Sequence, residues 1–419
     1  MSAIQRILSS KYTLYFFFGV LALYCVKIGR SPSDFTVFLE AARYLSEGNV
    51  PYGEWLYVSE GYFCHYFYSP FWATILLPLG KTSPFIIQMV WLLLNLFFLF
   101  RLGLLLKAYI KTKVANWVWL ILLVFSVRFL LYNIEMVQMT IFLLWGSLES
   151  LRLMRTKNWL WGSLLLAFVI NVKIMPVVLI PYLLYRAQYK FVFLVILFLG
   201  ILILLPGFIL GWSFNWEVHL AWFDAINPIN TEHSLETDLG PHSLTAWIPT
   251  LLTETKGIID SKRHIVNLRT ENAILVMNLV RIGLILSVLL VLKWPPFKKL
   301  DSAYLQLYEI SYLFLLIPLI FPHQQKYAFF CLLPAWFYLI LQWQKLKTNK
   351  ERDAKSRRSF NGLTIALGFS FLLMTLTTDG LIGRELNEWA QHYKLITIGA
   401  VVLIPTFFLI CPKQLSKDK

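Results

Sequence analysis

The chain has 419 residues, of which 58% are hydrophobic, 16% aromatic and 15% charged, whereas soluble domains are typically ~45–50% apolar and ~25% charged. A soluble globular fold is excluded. The formal net charge of +15 does not indicate nucleic acid, because the lysines and arginines lie in short clusters between apolar runs, the pattern of cytoplasmic loops in a membrane protein.

Runs such as Phe16 to Leu23, Phe85 to Phe100 and Phe191 to Leu205 are continuous and do not alternate, so they read as membrane helices of roughly 20 residues and not as barrel strands. The basic clusters are Lys107, Lys111 and Lys113; Arg152, Arg155 and Lys157; Arg186 and Lys190; Lys293, Lys298 and Lys299; the loop 345–358; and Lys413 to Lys419. With these inside, each interval between them requires a crossing out and a crossing back. The expected fold is all-α: one integral membrane domain over 1–419, a polytopic helical bundle of about twelve spans with both termini inside and with extracytoplasmic loops that carry juxtamembrane helices. Four dispersed cysteines, Cys25, Cys64, Cys331 and Cys411, suggest neither a disulfide framework nor a zinc site.

In chain order, Tyr12 to Gly29 leaves the cytoplasm as an uncleaved anchor, since no small-residue cleavage site follows it. An outer loop at 30–83 comes next. Pro84 to Leu106 returns, Val114 to Leu131 leaves and Met139 to Leu153 returns. The pair Trp159 to Asn171 and Met175 to Tyr185 is too short for two crossings and reads as a hairpin of shortened helices with its apex in a cavity. Phe191 to Leu210, Ala273 to Leu292, Ala303 to Phe321, Tyr327 to Trp343, Leu363 to Thr378 and Leu395 to Ile410 complete the set, with a second outer loop at 212–272. Both outer loops are acidic: Asp34, Glu40, Glu47, Glu54 and Glu60 in the first, and Glu217, Asp224, Glu232, Glu236 and Asp238 in the second.

The first loop opens with an interfacial helix at 34–47. Phe35, Phe38, Leu39, Ala42 and Leu45 share one face, Thr36, Glu40, Arg43 and Glu47 the other, and Gly48 and Pro51 end it. Asp34 at its start can cap the helix, present a carboxylate at the interface, or do both. Beyond it, Tyr62, His65, Tyr66, Tyr68, Pro70 and Phe71 form an aromatic entry to a short apolar stretch. Most of these aromatics read as interfacial anchors, with Tyr66 and Tyr68 as secondary sugar-stacking candidates.

Lys173, between Val172 and Ile174 at the hairpin apex, needs an anionic or carbonyl partner at membrane depth: a carboxylate such as Glu135, a carbonyl, or a lipid phosphate. The topology sends Arg128, Glu135, Gln138, His242, His323, Gln324, Gln325 and Lys326 to the same outer face. Arg281 and Glu309, inside spans, read as a structural pair or as snorkelling groups. Phosphate-loop, HExxH and metal-spaced motifs are absent from the sequence, so nucleotide hydrolysis and zinc chemistry have no support.

Several segments resemble glycosyltransferase family 87, transferases of the membrane-embedded GT-C fold that depend on polyprenyl-phosphate sugars and include α-mannosyltransferases. The resemblance covers most of the chain. It is carried by the run from Ser33-Asp34-Phe35 to Gly48 with Pro51-Tyr52, by Tyr68-Ser69-Pro70-Phe71 with Leu77-Pro78-Leu79, by Gln138, and by Asn171-Val172-Lys173-Ile174-Met175-Pro176 ending in Tyr185-Arg186. His242-Ser243-Leu244 resembles an Asn-x-Ser-Leu element. Phe321-Pro322-His323-Gln324-Gln325-Lys326-Tyr327 stands where relatives have Ser-Pro with a following histidine or aromatic, although here the histidine directly follows the proline.

The resemblance implies an inverting hexosyltransferase with Asp34 as general base, and Lys173, His323 and Lys326 toward the donor phosphate. Arg43, Tyr52, Tyr66, Tyr68, Gln138, His242 and Gln324 are its substrate-binding candidates, with no metal or cofactor. The expected partners are a polyprenyl-monophosphate sugar, most simply mannose, a glycolipid or glycan acceptor, and the bilayer. The expected location is the inner (plasma) membrane, with the site facing the extracytoplasmic side. Competing readings are a flippase or transporter of lipid-linked sugars, and a ligase or polymerase using a lipid-linked oligosaccharide.

Overall fold

The computed structural model describes residues 11–80, 82–227, 233, 235–236, 239–292, 296–300, 302–349 and 353–412. Lys293, Glu232, Asp238 and the basic segment Lys413 to Lys419 lie outside the described residues. The chain is mostly helical, as the unbroken apolar runs require, because a helix satisfies its backbone hydrogen bonds internally.

Among the described residues, five helices are long and apolar enough to cross a bilayer: Pro84–Ala108, Asn116–Glu135, Tyr189–Leu210, Thr270–Leu292 and Ala303–Ile320. A sixth crossing arises if Ala354–Met374 and Asp379–His392, bent by 85° at their junction, count as one span. The about twelve full crossings expected from charge alternation are not all realised as long helices. Tyr15–Ile28, Trp159–Val172, Met175–Tyr185 and Leu395–Leu409 are shorter apolar helices. The hairpin at 159–185 was expected to be short: its first helix ends at Val172 and Pro176 opens the 3-10 turn Met175–Val178, which runs into Leu179–Tyr185.

Small residues let these helices approach closely. A Cβ on Gly146 would collide with Val169, and one on Gly162 would lie 3.1 Å from the Ser150 carbonyl oxygen. Ser150 Oγ also donates to the Gly162 carbonyl at 2.8 Å. Thr140–Arg155 therefore packs tightly on Trp159–Val172, which in turn packs on Tyr189–Leu204.

Glu309 does not pair with Arg281. It binds Arg186, whose guanidinium donates to both carboxylate oxygens and to the Leu292 carbonyl, while Tyr182 Oη donates to Glu309 at 3.1 Å. Arg281 instead reaches Asn278 Oδ1 at 3.4 Å, one turn away on its own helix.

Two local features depart from the sequence reading. The fold is not purely helical: Leu56–Ser59 and Tyr62–Cys64 form an antiparallel hairpin that pairs Tyr57 with Phe63. Leu56 and Val58 are buried while Tyr57 and Phe63 are exposed, the two-residue alternation of a strand. Gly61, at φ +72°, makes the turn. The described residues of the basic loop expected at 345–358, which exclude 350–352, are mostly helical, because Leu333–Thr348 runs into it and Ala354–Met374 starts within it, capped where Asp353 accepts from the Ser356 amide at 2.8 Å. The long loop at 212–272 carries helices of its own, Trp212–Ile226 and Leu244–Leu252, in keeping with the loop helices expected there.

The interfacial helix is Phe35–Ser46, with Phe35, Val37, Phe38, Ala41, Ala42 and Leu45 buried. It packs on the hairpin and on Pro70–Leu76. Gly48, at φ +76°, ends it, and the Asn49 amide returns to the Tyr44 carbonyl at 2.9 Å.

Candidate active site

Asp34 occupies the N-cap position of Phe35–Ser46 in a helical conformation, and its side chain makes no capping bond. The Phe35 amide instead donates to Ser33 Oγ at 3.3 Å. The carboxylate is thereby free to face a cavity of about 390 Å³. Tyr62 Oη donates to Oδ1 at 2.8 Å and Gln138 Nε2 to Oδ2 at 2.6 Å. Burial pushes the Asp34 pKa above the usual aspartate value, against the opposing pull of the Tyr62 and Gln138 hydrogen bonds and the Lys173 charge.

The network continues away from Oδ2. Tyr68 Oη donates to Gln138 Oε1 at 3.1 Å, and the Lys173 ammonium donates to Tyr68 Oη at 3.4 Å. Lys173 Nζ also lies 4.8 Å from the Tyr68 ring centroid and 5.7 Å from that of Tyr327. Of the alternative partners, a carboxylate such as Glu135 is not used: among the described residues, no carboxylate stands within ion-pair distance of Lys173.

Local structure holds each member of this chain. Gln138 follows Val137, whose positive φ of 52° ends Asn116–Glu135, and its amide donates to the Asn133 carbonyl at 2.9 Å. Lys173 sits in the extended break after Val172. Ser69 Oγ donates to Asn171 Oδ1 at 2.9 Å, fastening that break to the segment that carries Tyr68.

A second polar group reaches the cavity through His323. His323 Nδ1 lies 2.9 Å from Glu236 Oε1, and its backbone amide also donates to that oxygen. Glu236 Oε2 accepts from Ser243 Oγ at 2.7 Å and Thr245 Oγ1 at 3.0 Å. Burial would raise the Glu236 pKa, but the bonds and charge supplied by His323 prevail and hold it below the usual glutamate value. The His323 ring stacks on Phe67 at 4.8 Å, and its Nε2 meets His233 Nδ1 at 2.5 Å.

The structure thus brings Asp34, Tyr68, Gln138, Lys173, His323 and Gln324 to one cavity. It does not bring the other candidates there. Arg43 is half-exposed and bound to Glu40 and Glu47. Tyr52 and Tyr66 are buried beneath the cavity wall, donating to the Tyr68 and Ser69 carbonyls at 2.8 and 2.9 Å, and so shape the segment that presents Tyr68. Lys326 lies over the Tyr132 ring at 5.5 Å, outside the lining.

His242 is fully buried outside the cavity lining, and its pKa is pushed well below the usual histidine value by burial and by the positive charges of Lys394, Lys326 and Arg128. Arg128 turns to the Met374 carbonyl and Thr377. Sequence reasoning did not assign Tyr62, Phe67, His233 or Glu236 to the site. The alternation around Gly61 was the available signal for Tyr62, while the others depend on loop packing. A larger groove, about 610 Å³ between Lys11–Ile28, Pro84–Ala108 and Asn116–Glu135, is lined mainly by apolar side chains and contains no carboxylate.

A helical membrane protein with a carboxylate, a lysine and a histidine around one polar cavity has groups of the kind that proton and group transfer use. Residues 66–300 match the model of glycosyltransferase family 87, and the chain belongs to that family. The match contains Tyr68, Gln138, Lys173 and Glu236, with Asp34 before it and His323 after it. No curated protein and no solved structure matches the chain.

Proposed function

We propose that the chain is an inverting GT-C-type transferase that moves a hexose, mannose being the simplest candidate, from a polyprenyl monophosphate to a glycolipid or glycan on the extracytoplasmic side of the inner membrane. The observation that carries this reading is the continuous chain from the Asp34 carboxylate through Gln138 and Tyr68 to the Lys173 ammonium. It sets a proton acceptor and a cation on one cavity wall at two ends of a hydrogen-bonded relay, as single displacement at a sugar phosphate requires.

The acceptor oxygen forms its bond to the anomeric carbon as its proton passes to Asp34. The bond between that carbon and the phosphate oxygen breaks, and its electron pair leaves with the polyprenyl phosphate. Lys173 and His323 stabilise the growing negative charge. Because the phosphate is a good leaving group, one carboxylate suffices, unlike the paired carboxylates of retaining hydrolases. Apolar surface between helices, such as the groove beside Lys11–Ile28, suits an isoprenoid tail.

The test is purified protein in lipid nanodiscs with a short-chain polyprenyl-phosphate mannose and extracted glycolipids. Covalent transfer that Asp34→Asn abolishes supports the proposal. Lipid scrambling without transfer would establish a flippase, and activity only with oligosaccharide-bearing donors would establish a ligase.

A further inference from the structure

The hairpin at 56–64 presents aromatic faces to the outside of the fold. Trp55 is 64% exposed, Tyr57 52%, Phe63 47% and Tyr62 40%. Trp55, Tyr62 and Phe63 line the cavity that contains Asp34 and also a shallow cleft beside it, completed by Gly61. Cleft and cavity therefore share these three side chains. Trp55 packs against His65, with ring centroids 3.9 Å apart, and His65 Nδ1 lies 3.0 Å from the Glu54 carbonyl. Phe63 is braced edge-on by Tyr57 at 5.7 Å.

The two oxygens of Asp34 divide the space between them. Oδ2 faces Gln138 and, through Tyr68, the lysine. Oδ1 faces the hairpin, where the Tyr62 hydroxyl sits at 2.8 Å, in the geometry that a hydroxyl being deprotonated would adopt. We propose that the hairpin is the acceptor platform: a hexopyranose ring of the acceptor lies on Trp55 and Phe63, and its reactive hydroxyl takes the place of the Tyr62 hydroxyl at Asp34 Oδ1.

This rests on the transferase reading above and adds the acceptor's chemical class and its side of entry. A pyranose has an apolar C–H face that suits an aromatic ring and a polar rim that needs hydrogen-bonding groups. The cleft supplies the first and the adjoining cavity the second. A membrane anchor would use the same aromatics, but opening the patch onto a carboxylate, three glutamines and three histidines would give hydrocarbon nothing.

The experiment uses the full chain labelled with 5-fluorotryptophan in nanodiscs, with the Trp55 resonance assigned by Trp55→Phe. It is titrated with octyl mannoside, octyl glucoside and octyl galactoside, with octanol as control. At least one glycoside should shift the Trp55 resonance saturably while octanol does not, and Phe63→Ala should raise the half-saturating concentration about tenfold. No shift with any glycoside overturns the proposal. An equal response to octanol, or broadening of Trp55 by nitroxide-labelled lipid, overturns it in favour of a membrane anchor. Saturable glycoside binding in a protein that transfers no sugar would uphold the sugar platform and defeat the transferase reading, so the two fail separately.

Discussion

Glu309 and Lys173 are each a single charge within an apolar stretch of sequence, yet the fold treats them in opposite ways. Glu309 is 4% exposed, and both of its oxygens are occupied by Arg186 and Tyr182. Every strong interaction available to it is already made inside the protein, so it has nothing left for a ligand. Lys173 faces the cavity with a long bond to a tyrosine hydroxyl and two aromatic ring faces. A cation so lightly compensated in a place that tolerates charge poorly retains most of its capacity for an anion. A saturated charge indicates architecture, whereas an under-compensated one beside a cavity indicates chemistry.

The largest effect should come from the carboxylate at the other end of the Lys173 relay. Asp34→Asn is expected to lower the transfer rate by about 10²–10⁴-fold, with little change in thermal unfolding in detergent; near-normal turnover would remove Asp34 from the mechanism. Glu309→Leu should show the reverse profile. Leaving Arg186 buried without its partner should cost about 3–5 kcal/mol of stability. The double substitution Arg186→Met with Glu309→Leu should recover most of that loss in the same melts, and equal instability of the double variant would deny that the pair is self-contained.

Lys173→Met should raise the half-saturating donor concentration by roughly 10–100-fold, the worth of a charge-assisted bond, while melting stays close to the parent; unchanged donor affinity would make Lys173 a second structural charge. Tyr62→Phe concerns pH. The base works only as carboxylate, so transfer is full above the Asp34 pKa and lost as pH falls through it. Because burial raises that pKa, the acid limb should lie above the ~3.9 of free aspartate. In the pH profile of kcat/KM, which reports the free enzyme, removing the Tyr62 bond, which favours the charged form, should move the limb to still higher pH, and a limb that stays put would place the titration elsewhere. The smallest effect is expected at Arg43, whose ion pairs are solvent-exposed: Arg43→Ala should change transfer by less than about twofold in initial-rate measurements.

Much of this pattern was readable along the chain. Membrane helices followed from apolar runs, because hydrocarbon imposes a local rule on each segment. The start and end of the interfacial helix followed from the spacing of Phe35, Phe38, Ala42 and Leu45 and from Gly48. Asp34, Gln138 and Lys173 stood out as polar residues in segments that resemble a family's, and they converge on one cavity. The β-hairpin was hidden by its brevity, since seven residues of aromatic alternation around Gly61 look the same as an interfacial anchor segment. Arg43 and His242 were polar and correctly placed in order, but side-chain pairing turned one to its helix neighbours and packing enclosed the other.

The sequence alone therefore determined the solvent of this protein, its helical character and the short roster of groups able to do chemistry, because composition and periodicity act over a few turns of chain. Only the tertiary structure decided that Asp34 gives up its capping bond to face a cavity, that Glu309 chooses Arg186 over Arg281, and that Tyr62 and Glu236 join the site. Those outcomes depend on distances between residues up to 123 positions apart, and a contact of that range is set by the packing of whole helices, which no local pattern encodes.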